Sequence, residues 1–181
     1  MSRDDDAARR VRFETLVLEA YPPLQRYLRR RTDATTADDV LGDVLLVMWR
    51  RVDEIPPDAE LPWCYGVARG CLANAVRSDQ RRLRLVSRLA REPRYEPAEP
   101  SGDADLEEAL ASMRPADREL LHLWAWEDLA PREIAVVLGI TPNAVSIRLH
   151  RATRRLRHKL EGKDPGGTGQ PGGQQRKEAS R

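Results

Sequence analysis

Apolar residues recur at intervals of three and four along most of the chain, the spacing that places them on one face of an α-helix. Pro22 and Pro23 fall inside the first run and predict a kink or a restart there, because proline lacks the amide hydrogen that an interior turn needs. The first two runs are Phe13, Leu16, Val17, Ala20, Leu24 and Leu28, then Ala37, Val40, Leu41, Val44, Leu45, Met48 and Val52.

Five further runs follow, and no segment shows the sustained alternation of a strand. The pattern predicts an all-α fold of two small helical bundles. These runs are Trp63, Val67, Ala68, Cys71, Leu72, Ala75 and Val76; Leu106, Leu110 and Met113; Leu120, Leu121 and Trp124; Ile134, Val137 and Leu138; and Val145, Leu149, Ala152, Leu156 and Leu160.

Proline, glycine and acidic residues divide the chain. Residues 92–105 contain Pro93, Pro97, Pro100 and five acids, which predicts an acidic flexible linker. Residues 162–181 are rich in Gly, Pro and Gln and are predicted to be a disordered tail, since they cannot bury enough apolar surface. We therefore expect an N-terminal extension over 1–10, one bundle over 11–91 and a second over 106–161.

The strongest local signal is the segment PREIAVVLGITPNAVSIRLHRATRRLR at 131–157. Pro131 suits the first turn of one helix, and Gly139 permits the positive φ of a tight turn. Thr141 can then cap a second helix with Pro142 at its first position. This order predicts a helix-turn-helix motif whose second helix enters the major groove of DNA.

Unrolling that second helix at 100° per residue separates an apolar side from a polar and basic side. Residues near its start are the candidates for base contacts, and the later arginines are candidates for phosphate contacts, with Arg151 suited to either. The base-reading candidates are Asn143, Ser146, Ile147 and His150, and the phosphate candidates are Arg148, Arg154, Arg155 and Arg157. A solvated basic face is the alternative, but it does not explain the Gly turn and the Thr-Pro start.

The overall charge of +2, from 31 basic and 29 acidic residues, hides two basic clusters. Six arginines and one acid lie in 77–91, and six basic residues and no acid lie in 148–159. This distribution predicts a polyanionic partner. The chain has no apolar run long enough to span a membrane and begins with an acidic segment in place of a signal peptide. Cys64 and Cys71, with no other cysteine, predict a reduced cytoplasmic protein with no metal site.

Two longer segments resemble a known family. TTADDVLGDVLLVMWRRV at 35–52 and LPWCYGVARGCLANAVRSDQRR at 61–82 resemble region 2 of the sigma-70 superfamily, and residues 110–160 resemble region 4. Both regions in the right order, with only a short linker between them, resemble an extracytoplasmic-function (group 4) sigma factor. The resemblance implies binding to core RNA polymerase, through the β′ clamp helices and the β flap, and recognition of promoter DNA.

The resemblance also implies roles for residues in the first bundle. The segment equivalent to 69–84 melts and holds the minus-ten promoter element in the family, and region 4 recognises the minus-thirty-five element. The matching minus-ten candidates are Arg69, Asn74, Arg77, Ser78, Asp79, Gln80, Arg81, Arg82 and Arg84. The polymerase-binding candidates are Asp38, Asp39, Asp43, Met48 and Trp49, with core packing as the alternative role of Met48. Trp63, at the start of the same helix as the minus-ten candidates, is expected in the core.

A stand-alone helix-turn-helix regulator with a sensing or dimerising N-terminal bundle is the alternative function. It predicts specific duplex binding without polymerase. An enzyme is not expected, because the histidines are scattered and no nucleophile, phosphate loop or metal set accompanies them. No cofactor, membrane or small-molecule substrate is expected, and an anti-sigma factor is a further partner that the resemblance allows.

Overall fold

The computed structural model describes residues 3–86 and 104–162. Most of the predicted linker and the tail beyond Gly162 lie outside the described residues. Throughout these two ranges the regular secondary structure is helical, with no membrane-spanning candidate among the helices. The helices are α1 (Arg3–Arg29), α2 (Ala34–Arg50), α3 (Glu60–Val86), α4 (Ala104–Ala111), α5 (Pro115–Ala125), α6 (Pro131–Leu138) and α7 (Pro142–Glu161), with a 3-10 turn at Val52–Glu54.

Helices α1–α3 form the first lobe. Helix α1 continues through Pro22 and Pro23 as one helix, so the predicted restart does not occur. Leu16 and Ala20 before the prolines and Leu24 after them are all buried in one core, so packing holds both halves of the helix together. The turn into α2 is capped by Asp33, whose carboxylate accepts a hydrogen bond from the Thr36 amide at 3.0 Å.

The expected N-terminal extension is largely helical, because α1 begins at Arg3. Arg9 ties this first part of the helix to the end of α2. Its guanidinium donates to the Trp49 carbonyl at 3.0 Å, lies 3.1 Å from the Asp53 carboxylate and stacks over the Trp49 ring. Arg9 therefore attaches the beginning of α1 to the first lobe.

Helices α4–α7 form the second lobe, and its core is continuous with that of the first. One cluster of buried side chains joins Leu24, Val44 and Ala68 of the first lobe to Leu123 and Ile134 of the second. Helix α6 lies directly against α3, where a Cβ built on Gly66 would be 3.7 Å from the Val137 backbone. A smaller cluster, around Leu110, Met113, Leu121 and Ala152, lies inside the second lobe.

Charged side chains form ion pairs across the boundary between the two lobes. We call Tyr27, Arg30, Arg31, Tyr65, Glu119 and Glu127 the inter-lobe ion cluster. Arg31 contacts the Glu119 and Glu127 carboxylates, each at 3.1 Å, and Arg30 contacts Glu127 at 3.0 Å. The side chains of Arg31 and Glu127 are only 8% and 3% exposed, so most of this pairing is removed from water.

The two tyrosines complete the cluster. The Tyr27 hydroxyl donates to Glu119 at 3.0 Å, and that of Tyr65 lies 3.5 Å from Glu127. Burial raises the pKa of Tyr65 to about 12, with the Glu127 charge adding to the effect. Burial and Glu119 likewise raise the pKa of Tyr27. Both phenols therefore stay protonated and act as hydrogen-bond donors to the carboxylates.

Burial by itself lowers the pKa of Arg31, but Glu119, Tyr27 and Glu127 outweigh it and the pKa is raised. His122 lies beside the cluster, and its ring stacks on Trp126 at a centroid distance of 3.8 Å. Burial, followed by the charges of Arg31, Arg118 and Arg30, lowers the pKa of His122 to about 3. The imidazole is therefore neutral at physiological pH and adds no charge to the boundary.

Most residues of the predicted apolar runs are buried or partly buried, and two are exposed. Trp124 is 44% exposed and Val76 is 43% exposed, which corrects their expected place in the core. In α5 the buried face is formed by Leu120, Leu121 and Leu123, so the tryptophan one residue later points away from it. Val76 lies where α3 extends beyond the lobe.

Substitution of glycine by alanine should have opposite effects on the free energy of unfolding at Gly42 and at Gly139. Gly42→Ala adds a methyl group to open space inside α2 and should raise the free energy of unfolding by about 0.5–1 kcal/mol. Gly139→Ala, also in open space but at φ +64°, should lower it by about 1–2 kcal/mol. Urea denaturation of both variants checks this, and two shifts of the same sign would contradict the backbone argument.

Candidate nucleic-acid interface

The helix-turn-helix is present as the sequence predicted. Gly139 ends α6 in the left-handed conformation, with φ 64°, and its amide bonds to the Ala135 carbonyl. The Thr141 hydroxyl caps α7 by accepting a hydrogen bond from the Ala144 amide at 3.2 Å. Ala135 and Val145 are buried where the two helices cross. This packing fixes the angle between α6 and α7.

The polar and basic side of α7 is exposed to solvent along its whole length. Val145 and Ala152 face inward, which directs the opposite side of the helix outward. Ile147 is 45% exposed. Contact of an apolar side chain with water is unfavourable, but the exposed isoleucine is suited to contact a thymine methyl group. All nine candidates are exposed: Asn143, Ser146, Ile147, Arg148, His150, Arg151, Arg154, Arg155 and Arg157.

Two of these residues already have partners within the protein. The Ser146 hydroxyl donates to the Pro142 carbonyl at 3.1 Å, and Arg155 forms an ion pair with Asp117 of α5 at 2.5 Å. The Asp117 pairing fixes Arg155 against the second lobe and reduces the charge that it can offer to a phosphate. Arg154, one residue earlier, forms no ion pair within the described ranges and points to the outer side of α7.

Two basic residues beside this surface were not among the predicted site residues, although Lys159 lies in the basic cluster at 148–159. Arg114, at the start of α5, and Lys159, near the end of α7, line a shallow recess together with Arg155 and Asp117. The local sequence around Arg114 carries no motif, and only the packing of α5 on α7 brings it to this position. The basic surface is therefore wider than α7 alone.

A second exposed polar surface lies at the C-terminal part of α3. After Ala75, every residue of α3 whose side chain the structure describes is exposed, so this end of the helix extends away from the lobe. Arg77 donates a hydrogen bond to the Asn74 side chain one turn earlier. The exposed candidates are Arg69, Asn74, Arg77, Ser78, Asp79, Gln80, Arg81 and Arg82. Arg84 lies in α3, but its side chain is outside the described residues.

Trp63 lies at the other end of α3 and packs against the core, as expected. Arg51 stacks over its ring at 5.4 Å. Its position leaves α3 with a packed first half and a projecting polar second half. This division allows the helix to be held rigidly by the lobe while its end remains available to a partner.

A third surface is the outer face of α2. Asp38, Asp39 and Asp43 are exposed, although Asp38 lies 3.4 Å from Arg29. Trp49 is 38% exposed and contacts the Phe13 ring edge to face. Leu46 is 53% exposed on the same face and was missed in the sequence analysis. We call Asp39, Asp43, Leu46 and Trp49 the acidic α2 face.

Met48 does not belong to this face. Its side chain is fully buried (0% exposed), so it is a core residue and its assignment to polymerase binding is wrong. A rotation of 100° per residue places Met48 opposite Asp39, whereas Leu46 falls on the same side as Asp39. Among the described residues no group of three His, Cys, Asp or Glu side chains could hold a metal ion.

Comparison with known proteins defines the class of this chain. The family model for sigma-70 region 4 matches residues 103–156, which include both helices of the helix-turn-helix. The chain is 32% identical to the RNA polymerase sigma factor CarQ of Myxococcus xanthus, over 88% of this chain and 95% of that protein. It is 29% identical to the ECF RNA polymerase sigma factor SigL of Mycobacterium tuberculosis, over 86% and 92% of the two chains.

A solved structure has the same fold. The sigma factor RpoE of Bartonella quintana, crystallised with the anti-sigma factor NepR, superimposes with a TM-score of 0.62 at 20% identity, over 83% of this chain and 98% of that one. With the sequence relatives, this shows that the chain belongs to the extracytoplasmic-function RNA polymerase sigma factors. It is a promoter-specificity sigma factor.

Because Met48 is buried and Leu46 is exposed, replacing each by alanine should affect the free energy of unfolding differently. Met48→Ala should lower the free energy of unfolding by about 2–5 kcal/mol, because it leaves a cavity in the core. Leu46→Ala, on the exposed side, should change it by about 0.5 kcal/mol or less. Urea denaturation measures both, and a large loss for Leu46→Ala would mean that this face is not solvent-exposed.

Proposed function

We propose that this sigma factor binds core RNA polymerase through the acidic α2 face and directs it to promoters with two separate DNA-reading surfaces. Helix α7 reads the minus-thirty-five element as duplex in the major groove. The projecting end of α3 captures the minus-ten element once its strands are separated. The observation that carries this proposal is the presence of both exposed polar surfaces on one chain, each supported by its own packed lobe.

The charges of the three surfaces support these assignments. The α7 surface presents Arg148, Arg151, Arg154 and Arg157 with no acid between them, as phosphate binding requires. The α2 face is acidic, and carboxylates close together on one helix repel each other unless a basic partner meets them. A protein that only bound duplex DNA would gain nothing from this acidic face.

The end of α3 suits a separated strand better than a duplex. Its described side chains from Val76 to Arg82 are exposed on all sides of the helix and mix apolar, amide and basic groups. An extruded base needs apolar and hydrogen-bonding contacts, and the strand between bases needs positive charge. Asp79 interrupts the arginines, so this surface is less basic than α7 and less suited to binding phosphates alone.

Run-off transcription tests the proposal. Purified full-length chain, core polymerase and a genomic promoter library should give specific transcripts, whereas core polymerase alone or the chain alone should give none. If the free chain binds a specific duplex tightly and adding core polymerase yields no transcript from any promoter, the chain acts as a stand-alone helix-turn-helix regulator.

Two further proposals follow from the same assignment. Because core polymerase works in the cytoplasm, we place the protein there. The Bartonella quintana relative was crystallised with an anti-sigma factor, and we propose that an anti-sigma factor also controls this chain. Co-purification of the tagged chain from its own cells, followed by mass spectrometry, tests both the polymerase and the anti-sigma partner.

Substitutions on α7 should separate base reading from phosphate binding. Asn143→Ala should change the preferred minus-thirty-five sequence, because an asparagine near the helix start can make paired hydrogen bonds to adenine. Arg154→Ala should weaken binding to all sequences and reduce the slope of log affinity against log salt by about one. Selection from a randomised minus-thirty-five library with the holoenzyme measures both effects. An unchanged preference for Asn143→Ala would move base reading elsewhere on α7.

Substitutions on α3 should affect promoter opening alone. The double variant Arg77→Ala, Arg81→Ala should slow strand separation at least tenfold, because it removes charges that hold the separated strand. Its affinity for core polymerase should stay unchanged, since neither residue belongs to the acidic α2 face. Permanganate reactivity of unpaired thymines measures opening. The matched control Arg10→Ala, Arg26→Ala removes two exposed arginines from α1. Equal losses of core binding and opening in the α3 variant would contradict the DNA assignment.

A further inference from the structure

The first turns of α1 lie beside the C-terminal end of α2, where Trp49 forms one edge of the acidic α2 face. Over residues 5–11, Arg9 is the only residue that is partly buried, and Val11 is 61% exposed. Burial of apolar surface therefore does not explain why this part of α1 contacts α2. The contacts of the Arg9 side chain do explain it.

Arg9 binds the backbone at the end of α2. The last turn of a helix leaves carbonyl groups without a donor from the same helix, and it carries a partial negative charge. Arg9 Nη2 donates to the Trp49 carbonyl at 3.0 Å and to the Arg50 carbonyl at 3.2 Å. A guanidinium suits this position because it combines several N–H donors with a positive charge. These hydrogen bonds fix the guanidinium relative to the backbone of Trp49.

The same guanidinium also covers the Trp49 side chain. Arg9 Cζ lies 5.1 Å from the centroid of the indole ring, within the range of a cation–π interaction. Phe13, one turn further along α1, meets the indole edge to face at a centroid distance of 5.2 Å. Helix α1 therefore contacts both the backbone and the ring of Trp49, and it leaves 38% of the residue exposed to a partner.

The ion pair of Arg9 is not enough to explain this arrangement. Arg9 Nε lies 3.1 Å from the Asp53 carboxylate, but the side chains of Arg9 and Asp53 are 23% and 69% exposed. An ion pair with so exposed a carboxylate contributes little free energy. The contacts with the end of α2 and with the indole are therefore the specific part of this site.

We propose that Arg9 is a positioning residue for polymerase binding, because it holds the Trp49 indole in the orientation that contacts core polymerase. This inference rests on the proposed function, in which polymerase binds the acidic α2 face. Arg9 does not belong to that face and acts through Trp49. A tryptophan contributes most to an interface when its orientation is fixed before binding, since less side-chain entropy is then lost. Without Arg9, the indole is free to change its side-chain torsions.

A double-mutant cycle on the full chain tests whether Arg9 acts through Trp49. Arg9→Ala should weaken the affinity for core polymerase about fivefold, because the cation–π contact and the ordering of the indole are both lost. Trp49→Ala should weaken it at least as much. Adding Arg9→Ala to Trp49→Ala should cause no further loss, since the indole that Arg9 positions is then absent.

Two variants serve as controls for charge. Arg10→Ala removes the same charge from the neighbouring exposed residue and should leave core affinity unchanged. Arg9→Lys keeps the charge beside Asp53 but loses the planar group that stacks on the indole, so it should bind core nearly as weakly as Arg9→Ala. Circular dichroism and urea denaturation of each variant distinguish weak binding from loss of the fold.

Fluorine NMR measures the environment of the indole without polymerase. The chain contains four tryptophans, and Trp49→Phe identifies the Trp49 signal in protein labelled with 5-fluorotryptophan. Arg9→Ala should shift or broaden that signal and leave the signals of Trp124 and Trp126 unchanged. Arg10→Ala should shift none of them.

Three results would overturn the proposal. These are wild-type core affinity in folded Arg9→Ala or Arg9→Lys, a loss from Arg9→Ala that persists in the Trp49→Ala background, and a Trp49 fluorine signal that Arg9→Ala does not change. If no protein, including the wild type, binds core polymerase, the proposed function fails, whereas the fluorine spectra still decide whether Arg9 orients Trp49.

Discussion

Arg31 lies in the turn that follows α1 in the first lobe and binds two carboxylates of the second lobe, Glu119 and Glu127, each at 3.1 Å. Because the Arg31 and Glu127 side chains are only 8% and 3% exposed, separating the two lobes would leave a charge without its partner and would expose apolar surface. Glu119 lies in α5 and Glu127 lies just after that helix, so the pairing holds α5 against the end of α1. A separate contact, between Gly66 and the Val137 backbone, holds α6 against α3. The position of α7 relative to the first lobe therefore depends on both contacts.

The packing of the two lobes against each other also explains how such small helical bundles form a stable protein. Each lobe has few helices, and small bundles bury a small share of their apolar surface. Here Leu123 and Ile134 complete a core that begins in α1 and α2. The three surfaces proposed to bind polymerase and DNA lie outside that core: the acidic α2 face, the end of α3 and the outer side of α7. Stability and recognition therefore use different sides of the same helices.

Local pattern was enough to predict the helices and the helix-turn-helix, because Gly139, Thr141 and Pro142 act through their immediate neighbours. It also separated the exposed side of α7 from its buried side. The helical period places Met48 opposite Asp39 and Leu46 on the same side as Asp39. The prediction did not apply that period to α2, so it assigned Met48 to the exposed face and omitted Leu46. The inter-lobe ion cluster could not be predicted, since Arg31 and Glu119 are far apart in the chain and only the packed fold brings them together.

The distance between the lobes tests the account most directly. Spin labels on Arg10→Cys in α1 and Arg132→Cys in α6, both exposed positions, would be placed in a chain with Cys64→Ala and Cys71→Ala. Electron resonance should give one short distance in the wild-type chain and a longer or broader one in the Glu127→Gln variant, which removes the charge that Arg30 and Arg31 share. An identical distance in the two proteins, or a long distance in the wild type, would contradict it.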